Sequence, residues 1–107
     1  LSSFKNGLSI ALMIDQRVSE GVKSNFFKQE ALTTTIPAQF VKKYDCKVVP
    51  IYIERIKNNS FKLTINNPIE YNKNDSVKSI TQNLNNILEK MILKNPEQWI
   101  WSHNRWK

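Results

Sequence analysis

The polar stretch Asp15-Gln16-Arg17 directly follows an apolar run over residues 8–14. If that run is a buried strand, these side chains lie past its carboxyl end, where open parallel sheets place their ligand crevice. A carboxylate there can orient a general base or a substrate hydroxyl. An aspartate that binds loop amides explains the sequence equally well. Asp15 is therefore a candidate catalytic residue with a structural alternative.

The loop after Asp15 carries cationic and aromatic side chains that could bind a ligand. Gln16 and Arg17 follow at once, and the planar fork of an arginine binds phosphate oxygens in pairs. A solvated arginine is the simpler interpretation. Phe26 and Phe27 either line an apolar groove or attach the loop to the core, and burial of each contributes about 1.5–3 kcal/mol. We predict that these four residues contact substrate.

All three tryptophans of the chain lie within residues 99–106. Tryptophan favours membrane interfaces, but so aromatic a segment also packs readily on a domain. We predict that at least two of Trp99, Trp101 and Trp106 pack against the sheet or the longest helix. Arg105 is a candidate for substrate binding, and it can also cap sheet carbonyls or pair with an acidic side chain. His103, the one histidine, is interpreted as structural or surface.

Composition limits which metals, cofactors and partners the chain is expected to bind. Sixteen Lys and Arg residues against nine Asp and Glu give a net charge of +7, which favours acidic partners. The single Cys46 cannot form an internal disulfide and is expected to be a small buried side chain. The sequence has neither a Cys/His cluster with metal spacing nor a glycine-rich phosphate loop, so we predict no metal and no bound cofactor. No apolar run approaches the roughly 18 residues of a transmembrane helix, so any membrane contact of this chain is expected to be peripheral.

Periodicity predicts an α/β fold with a mixed sheet. Continuous apolar runs indicate parallel strands near residues 8–14 and 47–53, joined through a helix near 36–44 whose first turn contains Pro37. Alternation over 61–66 indicates an antiparallel strand, and 3.6-residue spacing indicates a helix near 76–94 with an uninterrupted apolar stripe. The polar residues between 15 and 35 are predicted to form a functional loop.

Several stretches, spaced over the whole chain, together resemble the lipid A biosynthesis lauroyl and myristoyl acyltransferases, which belong to the lysophospholipid and glycerol-3-phosphate acyltransferase group. The stretches are Lys5-Asn6-Gly7 with 8–14 and Asp15-Gln16; Asn25-Phe26-Phe27 with Ala31, Thr33 and Pro37-Ala38; Val48-Val49-Pro50; and Glu89 with the segment from Pro96 to Lys107. The closing tryptophan segment is the most specific of them. The chain departs from the family pattern at Lys28, where a glycine is usual, and at Asn104, where a second arginine is usual.

The resemblance implies that residues 1–107 are the C-terminal part of a single glycerol-3-phosphate acyltransferase-like domain. It implies an upstream half with a His-x4-acid motif, whose histidine acts as general base, and it implies that Asp15 lies beside the catalytic cleft. The expected activity is transfer of a fatty acyl chain from acyl carrier protein to a hydroxyl of a lipid A precursor, at the cytoplasmic face of the bacterial inner membrane. The expected partners are acyl carrier protein, the lipid A precursor and the membrane surface, with no nucleic acid.

The alternative from another class is a small basic module that binds nucleic acid, which the net charge permits. Such a module needs clustered cations beside exposed aromatic side chains. In this chain the lysines are dispersed and the tryptophans collect near one end. The acyltransferase interpretation is therefore preferred.

Overall fold

The computed structural model of the chain describes Phe4 and residues 6–107. Within these residues two antiparallel hairpins alternate with two helices. The elements are β1 (Val22–Phe26), β2 (Gln29–Thr33), α1 (Ile36–Tyr44), β3 (Ile51–Arg55), β4 (Phe61–Ile65), α2 (Val77–Ile92) and a short 3-10 turn (Pro96–Gln98). Lys5, where the first resembling stretch begins, lies outside the described residues.

Both predicted helices are confirmed, with α2 slightly shorter than expected. Ser76 caps α2, because its hydroxyl accepts a hydrogen bond from the Ser79 amide at 3.0 Å. α1 carries proline in its first turn, where no intrahelical amide is lost. The apolar stripe of α2 packs on α1 through a core of Ala38, Val41, Ile80 and Leu84.

α2 also supports a second core around the first hairpin. Phe26 and Ala31 project from β1 and β2 onto Ile92 near the end of the helix. Trp99 and Trp106 cover this group from the C-terminal segment. The prediction that at least two tryptophans pack on the domain is therefore confirmed, whereas Trp101 stays 46% exposed.

The predicted parallel strands are wrong. Residues 8–14 form no regular element, and Met13 in their middle is 84% exposed. Val48 forms only an isolated antiparallel bridge to Ile69, and β3 pairs antiparallel with β4 in the register Ile53↔Leu63. An apolar run becomes a strand only where a neighbouring strand supplies hydrogen-bonding partners, and the described residues bring none to 8–14. The antiparallel strand predicted near 61–66 is confirmed as β4.

The first hairpin lies where a loop was predicted. Its inward positions alternate as expected for a strand, but two of them are the polar residues Ser24 and Thr33, both almost fully buried. The turn between β1 and β2 is made by Phe27 and Lys28, which have positive φ angles of 49° and 63°. The usual hairpin pattern has apolar residues at the inward positions and glycine or asparagine in the turn. This hairpin has neither feature throughout, so the sequence did not predict it.

Candidate functional site

Asp15 lies half-buried at the wall of a small cleft. The cleft has a volume of about 120 Å³ and is lined by Asp15, Gln16, Trp99, Ile100 and His103. The Trp99 indole donates its Nε1–H to Oδ2 of Asp15 across 3.4 Å. The structure thus joins two residues 84 positions apart in the sequence, one from the irregular segment after residue 14 and one from the tryptophan segment.

Aromatic neighbours fix the Trp99 ring. It meets Phe26 edge-on with ring centroids 5.7 Å apart, and it meets Trp101 and Trp106 in the same manner at 4.6 Å and 6.3 Å. Edge-to-face contacts at these distances are favourable for aromatic quadrupoles. Because Phe26 is fully buried on β1, the ring that binds Asp15 rests on the core of the first hairpin.

The last residues of the chain tie the tryptophan segment to that hairpin. The Trp106 indole donates its N–H to the Phe26 carbonyl at 2.9 Å while its ring stacks on Phe26. The Arg105 guanidinium is fully buried; Nη1 donates to the Leu32 carbonyl and Nη2 to the Thr33 hydroxyl at 2.9 Å. Burial lowers the pKa of Arg105, and the negative charge of Asp15 acts against this shift. The predicted capping of sheet carbonyls by Arg105 is confirmed.

Polar side chains on α2 hold the first hairpin from the other side. Gln82 binds both the amide and the carbonyl of Asn25, at 2.9 Å and 3.0 Å, and Asn85 binds the same carbonyl at 3.1 Å. Glu89 accepts a 2.7 Å hydrogen bond from the Phe27 amide at the turn. The expectation that nothing polar interrupts the α2 stripe was wrong, because Thr81 and Asn85 are buried on it. These contacts fix the turn on which the aromatic group rests.

Comparison with protein families decides the class of the chain. The family model of bacterial lipid A biosynthesis acyltransferases matches residues 1–107. The chain belongs to this family. No match was found among the curated proteins. The family identified from the tryptophan segment and the other resembling stretches is therefore confirmed, and membership indicates an acyltransferase of lipid A biosynthesis.

The other predicted site residues of this acyltransferase chain differ in their exposure and in whether they line the Asp15 cleft. Gln16 lines the Asp15 cleft, and Arg17 next to it is exposed. Phe27 is half-buried between Phe26 and Trp101. Arg105 lies inside the protein, and its hydrogen bonds are with β2. The structure brings Asp15, Gln16 and the tryptophan segment together, and it leaves Arg17 facing solvent.

Three residues of the cleft, Trp99, Ile100 and His103, were not predicted as site residues. Trp99 was predicted only to pack, and its hydrogen bond to Asp15 could not be read from the spacing of residues. His103 was interpreted as structural or surface, and it is exposed at the mouth of the Asp15 cleft. The one available signal was the density of hydrogen-bonding aromatic residues in the closing segment.

A second cavity of about 160 Å³ lies directly after the C-terminal end of α1, beside the bridge between Val48 and Ile69. It is lined by Asp45, Cys46, Lys47, Glu70 and Tyr71. Lys47 and Glu70 form an exposed ion pair at 2.5 Å, which raises the pKa of the lysine and lowers that of the glutamate. Burial raises the pKa of the Cys46 thiol, so its reactive thiolate is disfavoured.

No group of three metal-ligating side chains occurs in the described part of the chain. None of the helices described there is long and apolar enough to cross a bilayer.

Proposed function

We propose that the chain is the C-terminal part of an enzyme that transfers a fatty acyl chain from acyl carrier protein to a hydroxyl of a lipid A precursor. The observation that carries the proposal is the family match over residues 1–107. In this proposal an upstream half supplies the His-x4-acid motif with the general base. The enzyme works at the cytoplasmic face of the bacterial inner membrane. A nucleic-acid-binding role is disfavoured by the family membership.

The proposed reaction is a thioester acyl transfer. The acceptor hydroxyl oxygen attacks the thioester carbonyl carbon, and the general base takes the hydroxyl proton. The new C–O bond forms, the C–S bond breaks, and the phosphopantetheine thiolate leaves and takes up a proton. The thioester is already activated, so the reaction needs no further cofactor. Asp15 acts as the supporting carboxylate, which orients the base or the acceptor hydroxyl.

The position of Asp15 supports this role. Its carboxylate is half-buried at the wall of a cleft and is held by an indole N–H. A carboxylate in a fixed orientation beside an open space can direct an imidazole or a hydroxyl, whereas a mobile one adds little. A residue that merely caps loop amides would be bound to backbone N–H groups. Among the described residues, the Asp15 side chain accepts its hydrogen bond from Trp99.

Charge supports the proposed substrates. The net charge of +7 favours the anionic lipid A precursor, the acidic carrier protein and an anionic membrane surface alike. Arg17 is the best placed of the predicted substrate ligands, because it is exposed and two residues from Asp15. Gln16 and the half-buried Phe27 are the proposed contacts for polar and acyl portions. Substrate binding by the buried Phe26 and Arg105 stays a prediction, and for Arg105 it would require the guanidinium to leave β2.

The proposal is tested by an acyl transfer assay with labelled acyl-acyl carrier protein and a lipid A precursor. Full-length protein is expected to form the acylated lipid, and the isolated 107-residue chain is expected to form none, because its only histidine, His103, matches no part of the base motif. Acyl-coenzyme A in place of the carrier protein tests the donor. Turnover by the isolated chain at a rate near that of the full-length enzyme would refute the missing-base account, and a preference for coenzyme A would refute the proposed donor.

A further inference from the structure

We propose that Trp99 is a positioning residue, which holds the Asp15 carboxylate in its working orientation through the indole N–H. This inference rests on the proposed function, in which Asp15 supports the acyl transfer. Nε1 of Trp99 and Oδ2 of Asp15 are 3.4 Å apart, slightly longer than the usual N–H···O hydrogen bond of about 2.7–3.2 Å. Such contacts are often long before substrate binds and shorten in the reacting complex.

Asp15 depends on this contact because its own segment is not regular. Residues 8–14, directly before it, form neither helix nor strand, and Asp15 itself lies in a bend. No ladder of backbone hydrogen bonds therefore fixes the direction of its side chain. In the described part of the chain, the indole of Trp99 supplies the hydrogen bond to the carboxylate.

Trp99, in contrast, is fixed on both sides. The residue before it, Gln98, binds the amide of Arg55 at 2.7 Å and the carbonyl of Arg55 at 3.0 Å, which ties the segment to β3. The residues after it are tied to β1 through the Trp106 indole and the Phe26 carbonyl. The ring itself lies against Phe26 and Trp101. A donor held this firmly can direct a carboxylate on a less regular segment.

The buried Arg105 adds an electrostatic part to the same arrangement. Its cation lies 5.3 Å above the Phe26 ring, on the aromatic group that Trp99 also contacts. The negative charge of Asp15 acts on this guanidinium. Trp99 therefore orients the carboxylate, and the buried Arg105 cation lies on the same aromatic group. The two residues come from the segment that is most specific to the family resemblance.

The test removes the N–H of Trp99 while keeping an aromatic ring. In the full-length enzyme, Trp99→Phe is expected to lower kcat by about tenfold to one hundredfold with KM within about twofold, because a misaligned catalytic group costs rate more than binding. The control is Tyr71→Phe. That variant also removes one aromatic hydrogen-bond donor, but the Tyr71 hydroxyl donates to the Asn83 side chain at 2.8 Å and does not line the Asp15 cleft. Its kcat is expected to stay within about twofold of the wild type.

A double-mutant cycle separates positioning from packing. If Trp99 acts through Asp15, adding Trp99→Phe to Asp15→Ala should change kcat little further, whereas independent effects multiply. Should Trp99→Phe melt much below the wild type, replacing the indole of Trp99 by benzothiophene removes the N–H at nearly the same ring size. The melting temperature of each variant is measured with its kcat.

The outcomes distinguish the inference from the proposed function. An unchanged kcat for Asp15→Ala refutes the role of Asp15 and with it the positioning role. A large loss for Asp15→Ala with a near-normal kcat for both Trp99 variants refutes the positioning role alone. Multiplicative losses in the cycle do the same, since they show that Trp99 does not act through Asp15.

Discussion

The two hairpins of the chain have strands of equal length but opposite surroundings. β1 and β2 bury Phe26 and Ala31 under α2 and the tryptophan segment. β3 and β4 turn a row of apolar side chains to solvent, in which Phe61 is 63% and Ile65 is 65% exposed. The covered hairpin owes its position to polar contacts from distant residues, which are concentrated on α2 and at the C-terminus. The exposed hairpin is attached mainly through Gln98 and a hydrogen bond from Asn95 to the Tyr52 hydroxyl.

This difference shows what an apolar strand pattern does and does not establish. Alternation with a period of two identifies an apolar face, but whether that face is covered depends on residues elsewhere in the chain. The candidate site lies beside the covered hairpin. A carboxylate and an indole can keep a fixed geometry there, because the aromatic group beneath them is buried.

The comparison predicts a large difference in stability between matched substitutions. Phe26→Ala should lower the free energy of unfolding by about 3–5 kcal/mol, which is the usual cost of removing a buried ring. Leu63→Ala on β4 should lower it by about 1 kcal/mol or less, because Leu63 is largely exposed. Urea denaturation of the 107-residue chain measures both values. Equal losses in the free energy of unfolding would show that the second hairpin is also covered. They would contradict the distinction between a covered and an exposed hairpin.

A smaller effect is expected at the turn of the first hairpin. Lys28 has a φ of 63°, a conformation that costs a residue with a Cβ atom about 1–2 kcal/mol. Lys28→Gly removes that strain, although the unfolded state gains entropy, so we expect a net stabilisation of about 0.5–1 kcal/mol. The melting temperature should rise by a few degrees.

Lys23→Gly is the matched control for that prediction, since it removes a lysine from a regular position of β1 in the same hairpin. It should destabilise the chain, because glycine weakens a strand. A decrease in melting temperature for both variants would contradict the account of the turn.

The sequence predicted the helices and the strand β4 well for physical reasons. α2 has an apolar residue at nearly every third or fourth position, and β4 alternates Phe61, Leu63 and Ile65 with polar residues. These patterns depend on neighbours along the chain. The first hairpin was missed because Ser24 and Thr33 stand where apolar side chains were expected, and they are satisfied by residues of α2 and the C-terminal segment.

The site was only partly accessible from the sequence. Asp15 was selected as the residue after a predicted parallel strand, but residues 8–14 form no strand in the structure. What marks Asp15 in the folded chain is its hydrogen bond to Trp99, 84 positions away. Local periodicity carries no information on such a pair. The family resemblance indicated Asp15 as the acid, and the structure identified Trp99 as its hydrogen-bonding partner.

The most direct test of this account is the substitution Asp15→Asn in the full-length enzyme, followed by both kcat and melting temperature. The account predicts a kcat lower by about one hundredfold or more, with a melting temperature within a few degrees of the wild type, because a catalytic carboxylate is lost while its shape is kept. The opposite pattern would contradict it. If unfolding becomes easier by about 1 kcal/mol and the activity per folded molecule is unchanged, Asp15 is a structural cap and the cleft beside Trp99 is not the site of the reaction.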